Sequence, residues 1–394
     1  MVDIGLSDQL TQQQVVDILG AVEQGFDAQL DFTRQLMAYP SLRGQEHHAQ
    51  QFLYQALSGR GYEMDQWAID LAEIREHPGF SPVKVDYENA VNVVATHHPI
   101  NSIGRSLILN GHIDVVPTGP EAMWTKPPFE PTVNGDWLYG RGGADMKAGL
   151  VANLFAMDAL RTIGMQPAAR VCLQSVTEEE CTGNGALSCL VRGYRADAVL
   201  IPEPEENMLV RANVGVIWFR LHVRGKPIHV REAGAGANAI EATFDLFHAL
   251  KQLEKKWNAE RKNHRYFEQL DHPINFNLGK IEGGDWASSV PSWCTADLRV
   301  AIYPGVDPRE AAKEIEDCIA RASRHHAFLA QHPPEIEYNG FFAQGYVLEE
   351  GSDAEAVLHR AHASSFGLDL MSFVTPGYLD ARVFVLYDDC PCLV

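Results

Sequence analysis

Four short apolar runs, each stopping at a histidine, an acid or a glycine turn, dominate the first half of this sequence. Residues 90–95, 107–109, 171–176 and 198–201 are aliphatic and β-branched, too short for helices, and read as buried strands. Between the second and third, residues 146–160 place Leu150, Val151, Leu154, Phe155 and Leu160 at helical spacing. Strand–helix–strand alternation of this kind folds into an open α/β sheet, which gathers its chemistry past the strand ends. The expected fold class is therefore α/β, with a mostly parallel sheet flanked by helices.

The rest of the chain extends that plan. Residues 9–37 carry Val15, Ile18, Leu19, Val22, Phe26, Leu30, Phe32 and Leu36 at helical spacing, and residues 47–57 resume the pattern after Pro40. From about Asn213 the texture changes. Residues 214–223, 275–281 and 294–301 read as strands and residues 239–255 and 308–330 as helices, an order that suits an inserted α+β domain. After about Gly340 the chain returns to the first domain, with residues 354–364 helical and residues 383–386 a strand. The expected division is 1–212 plus 341–394 for the larger domain and 213–340 for the insert.

Composition excludes several function classes. Of the 394 residues, 52 are Asp or Glu and 32 are Lys or Arg, a formal net charge of −20. So acidic a surface repels phosphate backbones and anionic lipid, so no nucleic-acid or membrane partner is expected. The seven cysteines are odd in number and scattered, which fits a reducing cytoplasm. No basic stretch followed by an apolar run opens the sequence, and no apolar run approaches a membrane span, so a cytoplasmic protein is expected.

Chemistry concentrates at the strand ends. His112-Ile113-Asp114 follows directly on a strand, and a metal-ligating histidine commonly hands its other ring N–H to a carboxylate. Asp145 lies in a glycine-rich turn opening a helix, where it either caps the helix or faces a metal across the glycines. Glu178, Glu179 and Glu180 end the third strand and precede Gly183 and Gly185; they read as a solvated helix start or as carboxylates turned into the cleft. Glu203 stands at the next strand end between two prolines. An imidazole among carboxylates suits Zn²⁺, Co²⁺ or Mn²⁺ rather than a thiolate site.

In this order, residues 109–117 (LNGHIDVVP), residues 139–147 (YGRGGADMK) and the glutamate cluster resemble the dinuclear-zinc aminoacylase family. That family includes acetylornithine deacetylase, succinyl-diaminopimelate desuccinylase, aminoacylase and carboxypeptidase G. The resemblance implies a zinc-peptidase-like catalytic domain, an inserted lid and dimerisation domain, and two Zn²⁺ ions for which Co²⁺ or Mn²⁺ can substitute. By the same resemblance His112 and Glu203 would bind one ion, Asp145 would bridge, Glu180 would bind the second, and Asp114 would partner His112. Glu179 would be the general base, chosen within the glutamate run because it lies 34 residues past Asp145. His229, in residues 223–229 (VRGKPIH), would reach the active site of a neighbouring subunit and steady the oxyanion. Arg299, Asn277 and Arg382 would touch substrate, with Arg382 weighted less because Tyr378 and Leu379 replace small residues of the family's late loop.

The implied activity is hydrolysis of an N-acyl amino acid, as in acetylornithine deacetylase, by a cytoplasmic homodimer acting on a small molecule. A desuccinylase, an N-formyl or carbamoyl amidohydrolase and a dipeptidase remain open within the same family. One departure stands out. Relatives take their last zinc ligand from a histidine beyond the late loop, whereas this sequence stops at Val394, and His359 and His362 lie upstream on an expected helix. The expectation is a truncated chain or an incomplete second metal site, with a non-catalytic relative as the alternative from another class.

Overall fold

A computed structural model describes residues 10–394. Its strands are β1 (Glu63–Ala68), β2 (Val91–His97), β3 (Leu107–His112), β4 (Thr132–Asn134), β5 (Trp137–Tyr139), β6 (Val171–Val176) and β7 (Ala198–Leu200). There follow β8 (Leu209–Asn213), β9 (Gly215–Arg224), β10 (Phe276–Gly283), β11 (Trp293–Ile302), β12 (Glu335–Ala343), β13 (Ser372–Thr375) and β14 (Cys392–Leu393). The helices are α1 (Gln12–Met37), α2 (His47–Ser58), α3 (Leu71–Ile74), α4 (Ala148–Thr162), α5 (Asn184–Val191), α6 (Ala239–Ala259), α7 (Pro308–His325), α8 (Asp353–Phe366) and α9 (Ala381–Tyr387).

The central sheet has the order β1-β2-β6-β3-β7-β14. Strands β6, β3, β7 and β14 run parallel, while β2 is antiparallel to both its neighbours. Residue alternation splits this sheet between two cores. Val93, Ala95, Leu109 and Leu173 pack with Leu53 and Leu57 of α2 and Leu154 and Met157 of α4. Their neighbours Val94, Ile108, Cys172 and Val176 pack instead with Ala186 and Leu190 of α5 and Val383 and Phe384 of α9. Both faces are thus covered, which is why these strands read as unbroken apolar runs.

A separate antiparallel sheet has the order β10-β11-β9-β12. Helix α6 starts on Asn238, whose Oδ1 accepts from the N–H groups of Ile240 and Glu241 at 3.0 and 3.3 Å. Its Ala239, Ala242, Leu246, Leu250, Leu253 and Trp257 form one buried stripe, and Ile315 and Ile319 of α7 join the same core. The opposite face of β9 presents Trp218, Arg220 and His222, all half-buried.

Two sequence expectations change here. Residues 383–386 form part of α9 rather than a strand. A four-residue apolar run does not distinguish helix from strand, and the edge beside β7 is already occupied by Cys392 and Leu393 of β14. The helix expected from Met146 begins instead at Ala148, because Asp145 and Met146 leave helical geometry, Asp145 standing at φ −115° and ψ 103°. Among the described residues no helix is long and apolar enough to cross a membrane.

Candidate metal centre and active site

Register brings the site together. Parallel pairing sets His112 opposite Val176 and Leu109 opposite Leu200, so β3, β6 and β7 end side by side. The segments leaving those ends carry Asp114, Glu179–Glu180 and Glu203. Asp145 joins them because its extended backbone turns the carboxylate out of the path of α4. Gly149, in the first turn of α4, lies against the Pro202 carbonyl so closely that an added Cβ would collide with it, so helix and Glu203 loop meet backbone to backbone.

His112 Nε2 stands 3.0 Å from Asp145 Oδ1, 3.5 Å from Glu203 Oε1 and 3.9 Å from Glu179 Oε2. Ligand atoms of His112, Asp145 and Glu203 all lie within 4.8 Å of one another, a spacing that one divalent ion can span. The ring's other nitrogen, Nδ1, is 2.9 Å from the Asp114 main-chain oxygen and 3.6 Å from its carboxylate. The Asp114 carboxylate also accepts from the main-chain N–H of Glu180 at 3.1 Å and of Glu179 at 3.4 Å. Asp114 thus stands against the His112 ring through both its carbonyl and its carboxylate, and the same carboxylate also holds the glutamate turn.

Glu178, Glu179 and Glu180 diverge. Glu178, at φ +69°, turns away from the cavity and takes a bidentate contact from Arg43 at 2.5 and 2.7 Å and a hydroxyl from Tyr87 at 2.5 Å. Glu179 and Glu180 line a cavity of about 340 Å³ with Asp145, Glu203, Glu205, Trp218, Arg299, Phe341, Tyr378 and Leu379.

Electrostatics mark the cavity as short of positive charge. Burial pushes Glu180 up to about 7 and Glu203 up to about 8, and it raises Glu179 well above the usual carboxylate range. Burial opposes charge on the imidazole, yet Glu203, Asp114, Asp145 and Glu179 outweigh it and hold His112 well above the ordinary histidine value. Buried carboxylates facing one imidazole fit a divalent cation, which would supply the missing charge.

The remaining candidates scatter. Arg299 lines the cavity, donates from Nη2 to the Pro376 carbonyl at 2.9 Å, and among the described residues has no carboxylate partner. Asn277 lines an adjoining cavity of about 380 Å³ that shares Trp218 and Arg299 with the first. His229 is exposed, its ring 6.2 Å from that of Trp286, and it lines neither cavity. Arg382 is corrected outright: at 1% exposure it is a buried strut, donating to the Tyr378 hydroxyl at 3.1 Å and the Gly79 carbonyl at 2.8 Å. His359 sits on α8 beside Glu355, and His362 reaches the Leu368 carbonyl.

Sequence reasoning missed three buried groups around this site. Lys147 donates to the carbonyls of Tyr39 at 2.8 Å and Leu36 at 3.2 Å, and burial pushes it down to about 7. Glu46 is pushed up to about 8 by burial and by Asp114, and its Oε2 has no partner among the described residues. Asp380, beside Tyr378, is driven up to about 6 by burial. Lys147 and Asp380 stood inside segments already singled out, the glycine-rich turn and the late loop; Glu46 did not.

Residues 108–394 match the family described as Peptidase family M20/M25/M40, and the chain belongs to it. It is an amidohydrolase. It is 30% identical over 370 residues, 88% of this chain and 82% of the relative, to N-formyl-4-amino-5-aminomethyl-2-methylpyrimidine deformylase of Halalkalibacterium halodurans. It is 28% identical over 290 residues, 71% of each chain, to succinyl-diaminopimelate desuccinylase of Polynucleobacter necessarius. The fold is similar to that of the dipeptidase Dug1p of Saccharomyces cerevisiae, with a TM-score of 0.76 at 14% identity over 98% of this chain and 91% of that one.

Proposed function

We propose that this protein removes a small acyl group from the nitrogen of a small-molecule amide, with Glu179 as general base. The observation that carries this reading is a buried carboxylate, Glu179, beside an imidazole–carboxylate cluster at adjoining strand ends. Two Zn²⁺ ions, one on His112, Asp145 and Glu203 and one on Asp145 and Glu180, would polarise the amide carbonyl and acidify the attacking water. Glu179 then takes the proton from water and hands it to the leaving nitrogen. Asp114 fixes the main chain of that base through the two N–H contacts. Arg299, which has no carboxylate partner among the described residues, is suited to an anionic substrate group, and Asn277 to a polar group in the adjoining cavity.

The motifs suggested acetylornithine deacetylation. The two relatives named above act on formyl and succinyl groups, so we rank N-formyl amides first and N-acetyl amino acids behind them. Metal-loaded protein assayed against N-formyl, N-acetyl, N-succinyl and dipeptide substrates is expected to release formate fastest. Failure to cleave any of them by a folded preparation with verified metal content would overturn the reading.

We further infer that residues 213–340 act as a lid and dimerisation unit. His229 lies on exposed surface of its own chain, so an oxyanion role requires a second copy to present it. Mixing His229→Ala with Glu179→Ala protein is expected to restore part of the activity after subunit exchange. No complementation despite verified exchange would remove that role.

A further inference from the structure

The cavity beside Glu179 has an aromatic wall that the hydrolysis itself does not use. Tyr378 shares this cavity with Glu179, and Glu179 is among the charges that raise the Tyr378 phenol. The Tyr378 ring lies 4.2 Å from that of Phe341, which meets Trp218 edge-on at 4.9 Å. These rings come from three places: the loop before α9, strand β12 and strand β9. Gly340, at φ +129°, lets the indole lie against β12, since a Cβ there would stand 2.6 Å from the Trp218 ring. On the outer side of Trp218 the guanidinium groups of Arg43 and Arg220 are paired, with Glu178 and with Asp297 through contacts of 2.5 and 2.8 Å, while Arg299 lines the same cavity as the rings.

We propose that the Tyr378–Phe341–Trp218 wall is a subsite for a flat aromatic ring on the leaving amine. This rests on the deacylase reading, because only then is there a leaving amine, protonated by Glu179, to carry a ring into the cavity that Glu179 and the three rings share. Offset or edge-on packing against a ring discriminates planar aromatic groups from flexible aliphatic ones. An aliphatic amine would leave the face of the wall uncovered.

The test compares N-formyl derivatives of 4-amino-5-aminomethyl-2-methylpyrimidine and of ornithine on metal-loaded wild-type, Trp218→Phe and Trp218→Leu proteins. The wild type is expected to favour the pyrimidine in kcat/KM. Trp218→Leu should lose on the order of 10-fold more on the pyrimidine than on the ornithine derivative, chiefly through KM, while Trp218→Phe keeps most of the preference. Titration calorimetry with the two free amines measures the subsite without any turnover. Pyrimidine amine bound more tightly than ornithine, and weakened by Trp218→Leu, supports the subsite even if no amide is cleaved, an outcome that would sink only the deacylase reading. Cleavage of the ornithine derivative with no preference for the ring, or equal losses on both in Trp218→Leu, overturns the subsite and leaves the deacylase standing. Should Trp218→Leu fail to fold, the two amines on wild-type and Trp218→Phe protein decide alone: the subsite falls if ornithine binds as tightly.

Discussion

Glu178 and Glu179 are neighbours in the chain and opposites in their surroundings. Glu178 is buried against Arg43, Tyr87 and Thr182, so its charge is met by a guanidinium and two hydroxyls. Glu179, equally buried, faces His112 together with Glu180 and Glu203, and burial lifts all three carboxyls. One environment is closed and balanced. The other is built with acceptors in excess, a cost that persists only where something outside the chain completes it. Burial alone therefore does not separate a structural acid from a functional one; the count of opposing charges does.

Four variants press on this contrast. The largest effect is expected from Glu179→Gln, which should cut turnover by roughly 10²–10⁴-fold while metal content by elemental analysis stays near that of the wild type. Glu180→Gln should lose metal instead, and the reverse pattern would exchange the two roles. Next comes Arg43→Leu. Leaving Glu178 buried without its cation should cost about 3 kcal/mol of unfolding free energy in a denaturant titration, whereas a change within about 0.5 kcal/mol would mean that the pair behaves as an exposed one.

The smallest effect concerns Glu46. Its carboxyl is held at about 8 against an ordinary 4.5, so the folded chain keeps a proton that the unfolded chain releases. That contribution is complete below the unfolded value and is lost as pH rises through the folded one. Glu46→Gln should thus gain thermal stability relative to the wild type progressively between about pH 4.5 and about pH 8, and parallel curves across that window would show that Glu46 ionises freely.

What could be read beforehand follows the range of the interactions. Helices α6 and α7 announce themselves through long amphipathic periods, and β3, β6 and β7 through apolar runs that both faces of the sheet require. His112, Asp145, Glu179, Glu180 and Glu203 were legible because each sits beside a local turn signal. Arg43 and Tyr87 were not: they lie 135 and 91 residues from Glu178, and no local pattern encodes that meeting. Residues 383–386 and Arg382 failed for the same reason, since the partners that make one a helix and the other a strut are supplied by distant segments. The Asp114 carboxylate was legible beside His112 from the His-x-Asp spacing, whereas its hold on the glutamate turn, across 65 and 66 residues, was not.

The contact between Gly149 and the Pro202 carbonyl carries a mechanical consequence. Side chains at a metal centre relax by rotating, but here the gap between the Asp145 and Glu203 branches is set by two stretches of main chain in direct contact, with no compliant group between them. A single methyl at Gly149 would act as a wedge, driving the Glu203 branch outward and leaving His112 and Asp145 as a half-site. The aperture offered to an ion is in this sense a property of stiffness. It would be dilated in steps by changes beneath the donors, and the radius of the preferred ion would follow the wedge rather than the ligands.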